Sequence, residues 1–312
     1  MHIAIFYGLI IIVQVVAVVK IQMDYHKNVG IPTAKRIKAY EEELLTEAAD
    51  VSSRIAGGLP SSAGEHPYIA GLLIDLTNAT VNSLCGSSLL TSNRLVTAAH
   101  CWYDGDFQAW QFHVVLGTNF LYSGGIRIPT RKVFIHPRYN HVTLENDISM
   151  IYLPKNVYFS EKIVPISLPT GPELNDQFVG RWATAVGFGK PHMGQVSTQE
   201  MYHVKVQVIT TAACAAVFSA GFVRHSTLCT NGTGGVGICS GDSGGPLLII
   251  LNGRLVLVRG GILRVHDDIG GVNASAAREQ EVAAENNLEP PSLVPSVRPT
   301  VSCGHQTVGR EQ

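Results

Sequence analysis

The sequence predicts an all-β fold of the barrel or sandwich type. Short runs rich in β-branched and aromatic residues recur through the middle of the chain, separated by Gly, Pro, Asn and Asp. Only Thr211–Ser219 has the pattern of a short helix in this region, so the regular alternation of helices and strands that marks a parallel sheet is missing. Many short strands without intervening helices favour antiparallel sheets that close or pack face to face.

The predicted strands follow one another at short intervals. They are Tyr68–Leu76, Leu89–Thr97, Gln111–Leu116, Ile126–Ile135, Ile148–Leu153, Arg181–Val186, Met201–Ile209, Leu247–Leu251 and Arg254–Val258. The last two flank Asn252-Gly253, which is the strongest two-residue signal for a β-hairpin. The proline-containing stretch Asn156–Pro169 is predicted to connect two β halves.

Composition and the first residues limit the class of protein. Of 312 residues, 46% are hydrophobic and 15% charged, which excludes a disordered chain, and a net charge of −1 argues against nucleic-acid binding. The apolar run Ile3–Val19 predicts a secretory signal peptide over residues 1–20, with an uncleaved signal anchor as the alternative. Either would place the rest of the chain in an oxidising compartment, and glycosylation sequons at Asn78, Asn231 and Asn273 agree with that.

The two ends of the chain differ from its centre. Residues 21–54 are polar and carry an acidic cluster at Glu41–Glu43, and although Ala34–Ala49 could form a short helix, nothing in its pattern demands a packed core. The β-rich region begins at Arg54-Ile55. After Val265 neither the strand nor the helix period continues, so residues 263–312 are predicted to be an irregular tail.

The stretch Gly241–Pro246 has the clearest chemical meaning, because it places Ser243 between glycines. Such a serine fits a tight turn where backbone N–H groups approach a substrate carbonyl without intruding side chains. An ordinary glycine-rich hairpin turn has the same composition. Since a serine hydroxyl is inert without a base, the choice depends on a histidine and a carboxylate elsewhere in the chain.

His100 and Asp147 are the candidates for these two roles. His100 ends an apolar stretch and precedes Cys101, and a disulfide from Cys101 to Cys85 would hold the loop that carries the imidazole. Asp147 precedes an apolar strand, where a carboxylate is tolerated only when it is hydrogen bonded. A structural histidine and a turn aspartate are the alternative interpretations.

Four stretches, taken in order, resemble the motifs of the chymotrypsin/trypsin family, and most of all secreted insect digestive chymotrypsins. They are Arg54-Ile55-Ala56-Gly57-Gly58, Thr97-Ala98-Ala99-His100-Cys101, Asp147-Ile148 and Gly241-Asp242-Ser243-Gly244-Gly245-Pro246. The resemblance covers roughly residues 54–262. It implies two packed antiparallel six-stranded β-barrels, the second incomplete if its last strand is missing. Residues 55–262 would be the protease domain and residues 21–54 an activation propeptide.

This resemblance also assigns catalytic roles. Ser243 would be the nucleophile, His100 the general base and then the general acid, and Asp147 the group that orients the imidazole. The backbone N–H groups of Gly241 and Ser243 would form the oxyanion hole. The implied partners are protein or peptide substrates and protein protease inhibitors, and the implied location of this monomer is extracellular, in the gut lumen.

Activation and disulfide bonds are implied in the same way. Cleavage after Arg54 by a trypsin-like protease would free the ammonium of Ile55 to pair with Asp242, so the chain resembles a zymogen. The implied disulfides are Cys85–Cys101 and Cys214–Cys229.

Substrate preference is expected to follow from the specificity pocket, where the resemblance places Gly237, followed by Ile238, at the floor. Gly237 offers no carboxylate for a substrate Lys or Arg, so a large uncharged side chain is the expected guest. No cofactor is implied. No metal site is evident in the sequence, and Gly117–Thr130, the loop that holds calcium in some family members, contains no Asp or Glu.

The match breaks off near the C-terminus. Where the family has approximately Gly-Ile-Val-Ser-Trp-Gly, this chain has Gly261–His266, with Arg264 in place of the serine. The cysteine expected within about thirty residues of Cys239 is absent, which leaves Cys303 as its candidate partner. A divergent member and a misread frame or retained intron both fit, and the abrupt end favours the second. Function therefore has two interpretations, an active endopeptidase and a catalytically impaired homologue that is a binding protein or a defective product.

Overall fold

The computed structural model describes residues 24–47, 59–60, 64–189, 201–218, 223, 227–231 and 241–259. The strands in these residues are β1 Leu59–Pro60, β2 Ile69–Leu76, β3 Ser83–Thr91, β4 Arg94–Thr97, β5 Ala109–Leu116, β6 Ile126–Thr130, β7 Val133–Ile135, β8 Ser149–Tyr152, β9 Trp182–Gly187, β10 Tyr202–Ile209, β11 Cys229–Thr230, β12 Leu247–Leu251 and β13 Arg254–Arg259. The α-helices are α1 Ile31–Glu47, which continues a π-helical turn at His26–Gly30, and α2 Thr211–Phe218. Within the described ranges, no helix is both long and apolar enough to cross a membrane.

The first sheet has seven antiparallel strands in the order β6-β5-β2-β3-β4-β8-β7. Its two edge strands, β6 and β7, are halves of one continuous segment that is interrupted only at Arg131 and Lys132. The first half pairs with β5 and the second with β8, so this one segment provides both edges of the open sheet. Its interior holds fully buried apolar side chains, including Leu72, Leu89, Leu95, Phe112 and Ile151.

The second sheet follows the order β1-β10-β9-β12-β13, with β11 paired to β10, and curls into half a barrel. Buried side chains such as Val206, Leu247 and Val256 form its own core. A third cluster contains residues of both sheets, among them Leu84 of β3 and Leu248 of β12. The predicted all-β architecture of two packed halves is therefore confirmed.

Two strand predictions were wrong in detail, because each covers parts of two strands. Leu89–Thr97 spans the end of β3, a turn and β4, and Ile126–Ile135 is divided into β6 and β7. The first part of β3, which contains Ser83, Ser87 and Ser88, was missed because its small polar residues do not have a strand-like composition. The helix at Thr211 and the hairpin of β12 and β13 lie where they were predicted.

The residues between Asp24 and Glu47, here called the N-terminal segment, pack on the protein. Tyr25 and Val29 belong to the core of the first sheet, and Ala34 and Ile37 belong to the cluster shared by both sheets. The helix predicted at Ala34–Ala49 is thus present as α1, but the expectation that it needs no packed core was wrong. Its apolar residues are few, and only tertiary contact shows that they are buried.

Candidate active site

His100 and Asp147 are brought together by the pairing of β4 with β8. In this antiparallel pair Thr97 lies opposite Ser149, so the residues after β4 adjoin the residues before β8. The Asp147 carboxylate accepts two hydrogen bonds from His100, one from its backbone N–H at 2.8 Å and one at Nδ1 at 2.7 Å. Both residues are buried. This arrangement fixes the ring and leaves Nε2 as the nitrogen that can act on a substrate.

Several interactions together outweigh the effect of burial on the pKa of His100. Burial is the largest single influence and opposes protonation, but the attraction and hydrogen bond of Asp147, with a further attraction from Asp104, together raise the pKa of His100 above its ordinary value. A more basic imidazole is a better proton acceptor, which is the property required of a general base.

A disulfide holds the turn that carries His100. Cys85 and Cys101 are bonded and fully buried, which links β3 to the short 3-10 turn Ala99–Cys101. The second disulfide predicted from the family resemblance, Cys214–Cys229, is also present. Cys239 and its candidate partner Cys303 both lie outside the described residues.

The loop that carries Ser243 rests against the same strand, β3. The backbone N–H of Gly86 donates to the carbonyl of Ser243 at 2.7 Å. Gly244 follows with φ +79°, and a Cβ there would lie 2.2 Å from Thr97 Oγ1 and 3.2 Å from Cys101 Sγ, so only glycine fits. This close approach places Ser243 beside the turn of His100.

The hydroxyl of Ser243 and the imidazole of His100 are not hydrogen bonded to each other. Within the part of the chain that the structure describes, Nε2 of His100 is buried and has no hydrogen-bond partner, so Ser243 does not hydrogen bond to it. The ring of Tyr25 instead packs edge-on against His100, with 4.6 Å between the ring centroids. The N-terminal segment therefore lies on the candidate catalytic base.

Asp242 points away from this surface toward a turn after β9. Its Oδ1 accepts a hydrogen bond from the backbone N–H of Gly189 at 2.8 Å. A Cβ on Gly187 would lie 2.1 Å from the same oxygen, so the carboxylate occupies space that any side chain at that position would fill. Sequence reasoning missed Gly187 and Gly189, because their role depends on a carboxylate 53 residues away from Gly189.

Several predicted site residues lie outside the described residues. They are Arg54 and Ile55 of the activation site, Gly237 and Ile238 of the specificity pocket, Arg264 of the altered strand, and the sequon at Asn273. Of the other two sequon residues, Asn78 is exposed and Asn231 is half-buried.

Sequence reasoning also missed the contacts of the N-terminal segment with the site. Tyr25 contacts β3, and His26 contacts the loop after His100. Thr33 lies beside Gly241, and Glu41 contacts the loop after β5. One sequence signal was present. Ala34, Ile37 and Glu41 are spaced three and four residues apart, which places them on one face of α1, and all three are buried.

Comparison with known proteins places this geometry in a family. The trypsin family model matches residues 55–263. The chain is 35% identical over 196 residues to a collagenase of Hypoderma lineatum, covering 63% of this chain and 72% of the relative. It is 30% identical over 225 residues to a chymotrypsin of Phaedon cochleariae, covering 71% of this chain and 78% of the relative.

A solved structure supports the same assignment. The structure of HL collagenase matches 75% of this chain and all of its own chain with a TM-score of 0.57 and 27% identity. It shares the chymotrypsin-like fold of two packed β halves. With a family model that spans most of the chain and relatives that are named as proteases, the chain belongs to the trypsin family of serine proteases.

Proposed function

We propose that the chain is the secreted zymogen of an endopeptidase that cleaves after large uncharged residues and acts through an acyl-enzyme. The observation that carries the proposal is the double hydrogen bond of Asp147 to His100, which orients one imidazole beside the loop of Ser243. Ser243 attacks the scissile carbonyl and His100 takes its proton. Asp147 stabilises the imidazolium that forms.

The rest of the catalytic cycle uses the same loop. The backbone N–H groups of Gly241 and Ser243 stabilise the oxyanion, where the loss of one donor typically costs about 10²–10³ in rate. His100 gives its proton to the leaving amine. It then takes a proton from the water that attacks the acyl-enzyme and returns a proton to Ser243 as the acid product leaves. The hydroxyl and Nε2 approach each other once the N-terminal segment has left the site.

Preference for uncharged residues rests on Gly237. A guanidinium or ammonium entering the pocket would be desolvated without a carboxylate partner, which is much more costly than the loss of one apolar contact. The relatives carry the names collagenase, trypsin and chymotrypsin, so their names do not select among the preferences.

Activation by cleavage after Arg54 is part of the proposal. The new ammonium of Ile55 pairs with Asp242, and the pair orders the oxyanion loop. The two buried disulfides fit a protein that matures in an oxidising compartment, which supports secretion. The partners proposed are a trypsin-like activator and protein protease inhibitors that bind a monomer.

A serine-directed phosphonate tests this function. The chain cut after Arg54 is expected to be labelled at Ser243 and to hydrolyse a Phe anilide peptide, whereas the Arg analogue and the uncut Arg54→Gln chain give little reaction. Ser243→Ala is the control for labelling. A preference for Arg would overturn the specificity assigned to Gly237.

The altered residues Arg264 and Val265 favour a second candidate function, a catalytically impaired homologue that binds proteins. A cation near the site would compete with His100 for Asp147 or fill part of the pocket. Absence of both labelling and hydrolysis in a fully cut, folded chain would select this second function.

A further inference from the structure

We propose that the N-terminal segment is an inhibitor of the protease to which it belongs, and that it blocks the active site in the intact chain and again as a free peptide after cleavage. The inference rests on the proposed protease function and adds to it a specific ligand for the cleft. It follows from four contacts that lie along the segment.

The first contact covers the candidate base. Tyr25 is 7% exposed, its ring packs against His100, and its hydroxyl donates to the carbonyl of Leu84 at 2.8 Å. His100 itself is only 5% exposed. A substrate whose leaving amine must reach Nε2 of His100 would have to displace this tyrosine.

The second contact fixes the turn next to it. The backbone N–H of His26 donates to Asp104 Oδ2 at 2.9 Å, and its Nδ1 is hydrogen bonded to Ser83 Oγ at 2.8 Å. Asp104 is itself held by the N–H groups of Asp106 and Phe107, so it is a prearranged acceptor. His26 is completely buried. The segment is therefore bound by directional contacts as well as by apolar ones.

The third contact reaches the oxyanion side of the site. The methyl group of Thr33 lies 3.0 Å from the position of a Cβ on Gly241. Thr33 is buried, and Ala34 and Ile37 continue the contact into the cluster shared by the two sheets. Because Tyr25 touches His100 and Thr33 lies beside Gly241, we infer that the residues between them cover the position of the scissile bond.

The fourth contact anchors the middle of α1. Glu41 is 2% exposed, and its carboxylate accepts hydrogen bonds from the backbone N–H groups of Leu121 and Tyr122 at 2.6 and 3.0 Å and from Ser123 Oγ at 2.9 Å. Three donors around a buried carboxylate form a specific socket. The loop after β5 thus recognises an acidic side chain of the segment.

The segment binds as an inhibitor rather than as a substrate. Its residues form a π-helical turn and α1, so their N–H and C=O groups bond within the segment and are not presented as an extended chain. Residues 1–54 contain no cysteine, so after the cut at Arg54 only non-covalent contacts retain the segment. Cleavage therefore converts an intramolecular inhibitor into a dissociable one.

The test uses a chain whose residues 50–54 are replaced by Asp-Asp-Asp-Asp-Lys and which is cut by enteropeptidase, so that the lysines of the segment are not attacked. A synthetic peptide of residues 21–54 is added after the cut segment has been removed. The affinity of the peptide for the cut chain is measured in two ways. One is competitive inhibition of anilide hydrolysis, and the other is fluorescence anisotropy of the labelled peptide on the cut Ser243→Ala chain, which does not require activity.

Peptide variants make the test specific. Tyr25→Ala and Glu41→Gln peptides are expected to bind at least about tenfold more weakly, since each loses contacts to buried groups. A Glu43→Gln peptide is the matched control, because Glu43 lies on the exposed side of the same helix, and it should bind like the unchanged peptide. An active protease that neither binds nor is inhibited by the peptide would overturn the inhibitor. Binding to a chain inactive on every substrate would support the docking of the segment and reject both its inhibitory role and the proposed function.

A separate cluster carries a second proposal. We infer that Glu65, His66 and His203 form a zinc site at the junction of the two β halves. His66 Nε2 lies 3.1 Å from His203 Nδ1, and Glu65 Oε1 lies 4.0 and 3.7 Å from these two nitrogens. Ligand atoms around a tetrahedral zinc ion are about 3.4 Å apart, so the three atoms have the spacing of three corners of the tetrahedron, and water would supply the fourth.

The surroundings of His66 suit a metal ligand. Its other ring nitrogen, Nδ1, is hydrogen bonded to the Tyr68 hydroxyl at 2.8 Å, the kind of contact that orients a ligating imidazole. Zinc would replace the proton that now joins the two rings. The ion would link the turn before β2 to β10 of the second sheet.

Cobalt provides a direct readout, because tetrahedral Co²⁺ gives visible absorption bands. The metal-free full chain is titrated with Co²⁺ and then with Zn²⁺, which should displace it. His203→Gln is expected to weaken binding at least about tenfold. His113→Gln is the control, since His113 is bonded to Asp75 at 2.8 Å and to Gln111 at 3.1 Å and is not part of the cluster, and it should leave binding unchanged. Absence of tetrahedral bands in the unchanged chain would mean that the cluster is only a hydrogen-bonded histidine pair.

Discussion

Asp147 holds His100 at two points, since one carboxylate oxygen accepts the backbone N–H and the other bonds to Nδ1. The two bonds fix both the position of the 3-10 turn and the direction of the ring. A group that could satisfy only one of them would leave either the turn or the imidazole without its partner.

Asp147→Asn is expected to lower kcat by roughly 10⁴-fold, the size of this exchange in the family's well-characterised template. The amide can accept through one atom only, and its NH₂ group faces a nitrogen that must then accept, which selects the wrong tautomer of His100. The measurement is anilide hydrolysis by the cut chain, with a thermal melt to show that the variant is folded.

Asp104→Asn is the matched control for this prediction. Asp104 is also buried and also attracts the charge of His100, but its hydrogen bonds go to backbone N–H groups of His26, Asp106 and Phe107. In the cut chain without the N-terminal segment, this variant should retain activity within about tenfold. Equal losses in both variants would show that charge alone, and not the double hydrogen bond, determines the rate.

The activity of the cut chain is expected to fall below a pKa that lies above 6.5. Only neutral His100 can act as the base, and Asp147 raises its pKa although burial opposes protonation. When the N-terminal segment leaves, Tyr25 no longer covers His100. The burial of His100 then decreases, so its pKa is not lowered by this change. The profile of kcat/KM against pH should drop tenfold per unit on its acid side. A midpoint below 6.5 would contradict this assignment.

The two disulfides offer a comparison of stability with activity. Their sequence separations are 16 for Cys85–Cys101 and 15 for Cys214–Cys229, so either loss should cost about 3 kcal/mol of unfolding free energy. Only the first bond holds the turn of His100, whereas the second joins α2 to β11. Replacing the first pair by alanines should lower kcat/KM at least about tenfold more than replacing the second.

Urea unfolding and anilide hydrolysis of the two double variants check that comparison. The same fractional activity in both variants, at equal stability, would show that Cys85–Cys101 has no role in positioning His100.

Much of the fold and of the site could be predicted because the signals are local. The hairpin of β12 and β13 is specified by Asn252-Gly253, and the motifs around His100 and Ser243 are each a few residues long. The first part of β3 could not be predicted in this way. Two of its buried serines are hydrogen bonded by residues distant in the chain, Ser87 to the carbonyl of Ala70 and Ser83 to Nδ1 of His26.

The docking of the N-terminal segment was invisible for a related reason. Tyr25 bonds to a carbonyl 59 residues away, and Glu41 bonds to an N–H group 80 residues away. Both partners are backbone groups, which leave no trace in the residue types of β3 or of the loop after β5. A sequence pattern records the polarity of Glu41 but not the socket that makes its burial favourable.

Binding of the free N-terminal peptide is expected to weaken in acid because His26 is buried as a neutral ring. Burial, and next the positive charge of His100, lower the pKa of His26 to about 3 from 6.5. The undocked peptide keeps the ordinary value, so between these limits the undocked state binds the extra proton. Affinity should be complete above pH 6.5 and should fall by up to about tenfold per unit as the pH drops below it.

Two other titratable groups face His26 and shape this dependence. His100, whose pKa is raised, is already cationic in this range and repels a protonated His26, whereas Asp104, whose pKa is raised mainly by burial, offsets part of the loss at lower pH. A His26→Gln peptide removes the first titration and leaves the other two in place. Anisotropy on the cut Ser243→Ala chain should show a loss of at least about tenfold between pH 7 and 5 for the unchanged peptide and a much smaller one for the variant. Equal slopes for the two peptides would mean that His100 and Asp104, and not His26, make the inhibitor sensitive to acid.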